Sequence, residues 1–156
     1  VATGVLLSRA LPEDAPLVAP LFAAYREFYA KPDGDSVRCE VFLRERLAKN
    51  ESVVFIARVQ RDGRAIVAGF AQLYPTFTSV GLARVWHMND LFVAPEFRRR
   101  GVAKALTLHA IAFARQDGAA RFTLETQHHN AGARALYEHL GMTLGSEFVK
   151  YAIRFD

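Results

Sequence analysis

The sequence predicts one α/β (α+β) layer domain over residues 1–156, built around a mixed and mostly antiparallel sheet. Three observations carry this. Strand-like and helix-like periodicities follow one another in the order βααβββαβαβ. An Asp62-Gly63 pair between two apolar runs marks a tight hairpin. An apolar strand runs through a short turn straight into a helix between Asn89 and Lys104. A chain of 156 residues suits one core, which at this size buries roughly 70% of the unfolded surface.

Val5 to Arg9 reads as a first strand. Pro12, Glu13 and Asp14 supply first-turn chemistry for a helix whose apolar residues Leu17, Leu21, Tyr25 and Phe28 keep helical spacing, and Lys31-Pro32-Asp33-Gly34 stops it. Asp35 or Ser36 caps a second helix with Cys39, Leu43 and Leu47 on one face, ending near Asn50. Ser52 to Arg58 and Ala65 to Tyr74 form the hairpin, with Pro75 closing its second strand. Val85 to Val93 follows as the next strand, ended by Ala94-Pro95-Glu96. From Gly101, Val102, Leu106, Ala110 and Phe113 give a helix face that stops at Asp117-Gly118. Arg121 to Thr126 is a strand, and Asn130 caps a helix carrying Ala133, Leu136, Tyr137 and Leu140, with Gly141 as its C′ residue. Phe148 to Phe155 reads as a closing strand.

Lys and Arg exceed Asp and Glu by 20 to 16, a balance suited to an anionic small ligand rather than to nucleic acid. The positive charge concentrates at Arg98, Arg99 and Arg100, at a helix start where unpaired N–H groups and the helix dipole favour a pyrophosphate. Gly101 permits close backbone approach, and the arginines supply forked donors. Neither a Gly-x-x-x-x-Gly-Lys-Ser/Thr loop nor a strand-borne Gly-x-Gly-x-x-Gly is present. Cys39 alone allows no internal disulfide, and no apolar run has the length of a membrane span; a cytoplasmic location is the expectation. The five histidines lack metal-ligand spacing, so no metal is expected.

The run Arg98-Arg99-Arg100-Gly101-Val102-Ala103 resembles the acyl-CoA signature Arg/Gln-x-x-Gly-x-Gly/Ala of the GNAT superfamily of N-acetyltransferases. The Leu-Phe-Val-x-Pro before it, Asn130, and Leu136-Tyr137-Glu138-His139-Leu140-Gly141-Met142 extend the likeness over about residues 83 to 145. The resemblance implies a GNAT fold with six to seven strands and about four helices, and acetyl-CoA as donor cosubstrate. It implies that the backbone of Leu91, Phe92 and Val93 pairs with the pantetheine arm, while Arg98, Arg99, Arg100, Gly101, Val102, Ala103 and Lys104 hold the pyrophosphate. Asn130, Ala133 and Tyr137 match further cofactor contacts, and Tyr137 matches a tyrosine that assists the departing thiolate.

The activity so implied is direct acetyl transfer to a primary amine through a tetrahedral intermediate. Asp90 is the catalytic candidate beside Tyr137, as proton acceptor or as an attractor of a cationic amine; its alternative role is to bond backbone in a bulged strand. Diamine-type relatives carry Glu-Asp where this chain has Asn89-Asp90, and an amide cannot take a proton. The acceptor class indicated is a small cationic amine such as a polyamine, diamine or lysine-like molecule. Glu125 on the adjacent strand, which alternation lets face either the cleft or solvent, is a further candidate base, and a water chain to bulk is a third. Tyr25, Phe28 and Tyr29 stand where relatives build the acceptor wall, with core packing the simpler role for Phe28. Cys39 is remote in sequence from these motifs, which disfavours an acyl-cysteine route. A non-catalytic acyl-CoA sensor is the alternative function, and a homodimer, with no nucleic-acid or membrane partner, is the expected state.

Overall fold

The computed structural model describes residues 4–29 and 34–155, so the expected loop residues Lys31, Pro32 and Asp33 lie outside the described residues. The chain falls into two compact units, Val1–Glu125 and Thr126–Asp156. In the first, the elements are β1 (Val5–Arg9), α1 (Ala15–Phe28), α2 (Ser36–Ala48), β2 (Val53–Arg61), β3 (Arg64–Thr78), β4 (Ala83–Val93), α3 (Val102–Gln116) and β5 (Arg121–Leu124). In the second, the one helix is α4 (Ala131–His139).

The sheet runs β1-β2-β3-β4-β5 in that order, with β1 to β4 antiparallel and β5 parallel to β4. Asp62 and Gly63 both have positive φ, 52° and 74°, the conformation a two-residue hairpin turn demands. Strand alternation then sorts the side chains. Val54 and Ile56 join Phe70 and Phe92 in the core under α1 and α2, with Val18, Phe22, Leu43 and Leu47. Phe55 faces the other way and meets His109 and Phe113 of α3. Helices therefore cover both faces, and every residue of β3 from Ala68 to Leu73 is buried.

Two expectations are corrected. Five strands are present among the described residues, fewer than six to seven, because Phe148 to Phe155 forms no ladder. Its apolar side chains are exposed, Tyr151 at 91% and Phe155 at 92%. Alternating apolar residues give a segment strand propensity, but only a hydrogen-bonding neighbour makes it a strand. Pro75, expected to close β3, instead lies inside it opposite Trp86. Pairing with β2 ends at Leu73, so this part of β3 has β4 on one side only, and an edge position tolerates a residue without an N–H.

The expected turn chemistry holds at the helix ends. Asp35, rather than Ser36, caps α2 by accepting from the Arg38 N–H. Gly141, at φ 82°, ends α4 in a Schellman arrangement in which the Met142 N–H donates to the Tyr137 carbonyl over 3.0 Å.

Candidate active site

β4 carries the central irregularity. Gln72 pairs with Asp90 and Leu73 with Met88, leaving Asn89 as the extra residue of a bulge. The bulge inverts the alternation. Trp86, before it, meets the Phe113 ring of α3 edge-on, whereas Phe92, after it, packs beneath α1 and α2. An unbroken strand would turn residues 86, 90 and 92 to one face. The extra residue instead aims Asp90 at the α1/α2 side, where it lines a cavity of about 770 Å³ with Tyr25, Tyr29, Cys39, Phe42 and Tyr74.

Asp90 is only 4% exposed. Its carboxylate accepts from Gln72 Nε2 at 2.8 Å and Asn89 Nδ2 at 3.0 Å, while the Tyr25 hydroxyl donates to the Asn89 carbonyl at 3.4 Å beside it. Burial pushes its pKa above the ordinary value; the donors Gln72, Tyr25 and Asn89 and the charge of His87 oppose that rise without cancelling it. The same burial, reinforced by the Asp90 charge, holds the Tyr25 phenol neutral, and Tyr74 is pushed up to about 12. The site is thus a carboxyl group of raised proton affinity among neutral donors, the form a general base takes.

Sequence reading missed Gln72 and Tyr74. Gln72 is fully buried, and its Oε1 has no hydrogen-bond partner within the described structure. The available signal was a lone amide inside the apolar run Phe70-Ala71-Gln72-Leu73. Cys39, remote in sequence, lines the same cavity and accepts from Arg26 Nη1 at 3.8 Å. Phe28, expected in the core, is 59% exposed and stacks edgewise on Tyr29. The cause is its position in the last turn of α1, beyond the buried stripe of Val18, Phe22 and Ala23. Glu125 is exposed and outside the cavity lining.

The stretch that the resemblance assigns to the donor begins where β4 leaves β5. Their parallel pairing ends at Met88 and Leu124, so the Leu91–Val93 stretch has no β5 partner. On its other side β3 approaches very closely: a Cβ on Gly69 would lie 2.6 Å from the Phe92 carbonyl oxygen. Ala94 leads into the short helical turn Pro95–Phe97, anchored by Phe97 at 1% exposure. Arg98 Nε then donates to the Val93 carbonyl at 2.9 Å, which braces the strand end, and its guanidinium lies over Phe92.

Arg99 and Gly101 adopt positive φ of 60° and 77° and swing the chain into α3. The first α3 hydrogen bond runs from the Ala105 N–H to the Gly101 carbonyl, and Gly101 makes no side-chain cap. The N–H groups of Val102, Ala103 and Lys104 precede that bond, beside the exposed Arg99 and Arg100. An open strand edge leading to such a helix start fits an extended thioester arm ending in a pyrophosphate.

In the second unit, Asn130 Oδ1 caps α4 by accepting from the Ala133 N–H at 3.1 Å. Tyr137 is half-buried on the same helix, none of whose residues is fully buried. A donor-site role for Asn130, Ala133 and Tyr137 rests on the resemblance alone. Among the described residues no cluster of His, Cys, Asp or Glu has the makings of a metal site, and no helix is long and apolar enough to cross a membrane.

Comparison with known proteins shows the family. The acetyltransferase (GNAT) family matches residues 18–142. The chain is 44% identical to the uncharacterized N-acetyltransferase YhfO of Bacillus subtilis (strain 168), over 94% of this chain and 95% of that protein. A solved probable acetyltransferase shares 38% identity at a TM-score of 0.87, covering 97% of this chain and 98% of its own. An aminoglycoside N-acetyltransferase in complex with CoA has the same fold at 20% identity and a TM-score of 0.76, with 97% and 95% covered. The chain belongs to the GNAT family and is an acetyl-CoA-dependent N-acetyltransferase.

Proposed function

We propose that the protein transfers the acetyl group directly to a primary amine seated in the α1/α2 cavity, with Asp90 receiving the amine's proton. The observation that carries this is a buried carboxylate of raised pKa, turned into the cavity by the Asn89 bulge. Acetyl-CoA supplies the acetyl group in activated thioester form. Leu91, Phe92 and Val93 offer main-chain groups for its arm, one N–H being the donor for the oxygen that gains charge. Arg99, Arg100, Lys104 and the N–H groups of Val102 and Ala103 hold its phosphates, while Arg98 fixes the strand that presents them.

Asp90 acts first. Its carboxylate attracts the ammonium and takes one proton, and the lone pair so freed is the nucleophile. Tyr137 is assigned the donation to the departing sulfur, and Asn130 and Ala133 the further cofactor contacts, on the family likeness. The amide at position 89 motivated a non-catalytic sensor as an alternative. Its bond to Asp90 accounts for that amide within an enzyme.

A panel of primary amines, assayed by release of the CoA thiol, tests the reading with Asp90→Asn beside the parent enzyme. Turnover should fall by about 10²- to 10⁴-fold in the variant. Unchanged turnover would remove Asp90 from the mechanism.

A further inference from the structure

We propose that the acceptor is a primary amine carrying an apolar body of aryl size, seated against Tyr29 and Phe42 while its nitrogen meets Asp90. This deepens the reading of the cavity as the amine site and rests on it. Ring contacts fix where these groups stand relative to the acid. Tyr25 reaches the bulge, its hydroxyl donating to the Asn89 carbonyl at 3.4 Å, and edge contacts with Phe70 and Phe92 lock its ring on the core. From Tyr25 one step leads to Tyr29, with ring centroids 5.0 Å apart. Two steps lead to Phe42, through Phe22, at 6.2 and 6.0 Å.

Exposure rises along these steps and gives the cavity its depth. Asp90 is 4% exposed and Phe22 9%, while Phe42 reaches 39% and Tyr29 40%. The acid is at the floor, and the rings lead from it to the mouth. Helix α2 continues the wall. Its buried stripe is Cys39, Leu43 and Leu47, yet Val37 and Val41, one turn apart, line the same cavity and are exposed. Core packing does not account for apolar side chains on that side of the helix, whereas a ligand that covers them does.

The other charged residues of the lining are Arg26, Arg38 and Glu45, and each has a partner within the protein. Selectivity therefore falls to the apolar wall. A body lying on it sheds its own hydration and covers the valines and rings, a gain that grows with the apolar area removed from water. A second ammonium set there, as in a diamine, would trade water for apolar contacts at a cost. A cavity of about 770 Å³ has room for a ring beside the amine. The lining thus favours an aryl-bearing amine over the diamine class that the resemblance indicated.

Three primary amines test this: 2-phenylethylamine has the apolar body, ethylamine lacks it, and cadaverine carries a second ammonium in its place. The kcat/KM for 2-phenylethylamine should exceed that for each of the others by about 10- to 100-fold. Tyr29→Ala and Phe42→Ala should each lower the ratio of 2-phenylethylamine to ethylamine by about threefold or more, and that ratio does not depend on how much enzyme is folded. A parent ratio near unity, cadaverine equal to or better than 2-phenylethylamine, or a ratio that neither variant changes overturns the proposal. Asp90→Asn separates this from failure of the amine-site reading: if that reading fails, the variant turns over all three amines as well as the parent does, whereas a wrong body alone leaves the variant impaired with all three.

Discussion

The proposed donor turn follows strand β4 and the proposed acceptor cavity draws on it, yet the two are built in opposite ways. The turn is eleven consecutive residues, 94 to 104, and its working groups are mostly main-chain N–H groups set by two positive φ angles. The cavity draws side chains from α1, α2, β3 and β4 and has a buried acid at its heart. A main-chain site tolerates side-chain change but not a change of backbone conformation. A side-chain site in a packed core does the reverse, failing when one atom of one residue is altered.

The largest effect expected on the donor side comes from Gly101→Val. A β-branched residue disfavours φ of 77°, so CoA affinity should drop by about 10- to 100-fold, at a strain of roughly 1–3 kcal/mol, while Asp90 is untouched. Isothermal titration with CoA measures it, and unchanged affinity would detach the turn from phosphate binding. Next is Tyr137→Phe, for which kcat should fall about tenfold with CoA affinity retained, since a hydroxyl that acts on the departing sulfur is not needed for binding. Equal turnover would return Tyr137 to a packing role.

On the acceptor side, Gln72→Leu removes a hydrogen bond that lowers the Asp90 pKa. The acid limb of the pH–rate profile should move to higher pH, and stability should fall by about 1–3 kcal/mol as the carboxylate loses a partner. A limb that stays in place would show that Gln72 does not tune Asp90. Cys39→Ala is the smallest. Direct transfer needs no thiol, so kcat should stay within about threefold, and a collapse of activity with an intact fold would favour an acyl-cysteine route.

Asp90 also gives a stability signature. Its folded pKa lies above the unfolded value, so the native state binds the proton more tightly between the two, and stability falls as pH rises through that window. Asp90→Asn lacks the titration. Its Tm relative to the parent should climb from the ordinary carboxylate value, about 3.9, up to the folded pKa and then level off. A flat difference across that range would place Asp90 in a solvated environment.

The contrast between the two regions also sets what could be read from sequence. The turn, α3 and the hairpin at Asp62-Gly63 were legible because each is written in adjacent residues whose backbone needs are local. Asp90 was legible as a candidate, but its direction was not. Trp86, Met88, Asp90 and Phe92 look like one face of a strand until pairing with β3 makes Asn89 the extra residue. Bulges belong to pairs of strands, and one strand's sequence does not show the register. Pro75 inside β3 and the unpaired Phe148 to Phe155 segment have the same cause, since neighbours rather than propensity decided both. Gln72 meets the Asp90 carboxylate, and Cys39 and Tyr74 join it around one cavity, only when α1, α2, β3 and β4 converge.

The central claim is that the buried Asp90 carboxylate is the group that takes the amine's proton. The acid limb of kcat/KM against pH, recorded for the parent enzyme and for Asp90→Asn with one good amine, tests it most directly. The parent should show a limb above the ordinary carboxylate value, and the variant should lose both that limb and most of its rate. A variant that keeps the rate and the same limb would contradict the claim.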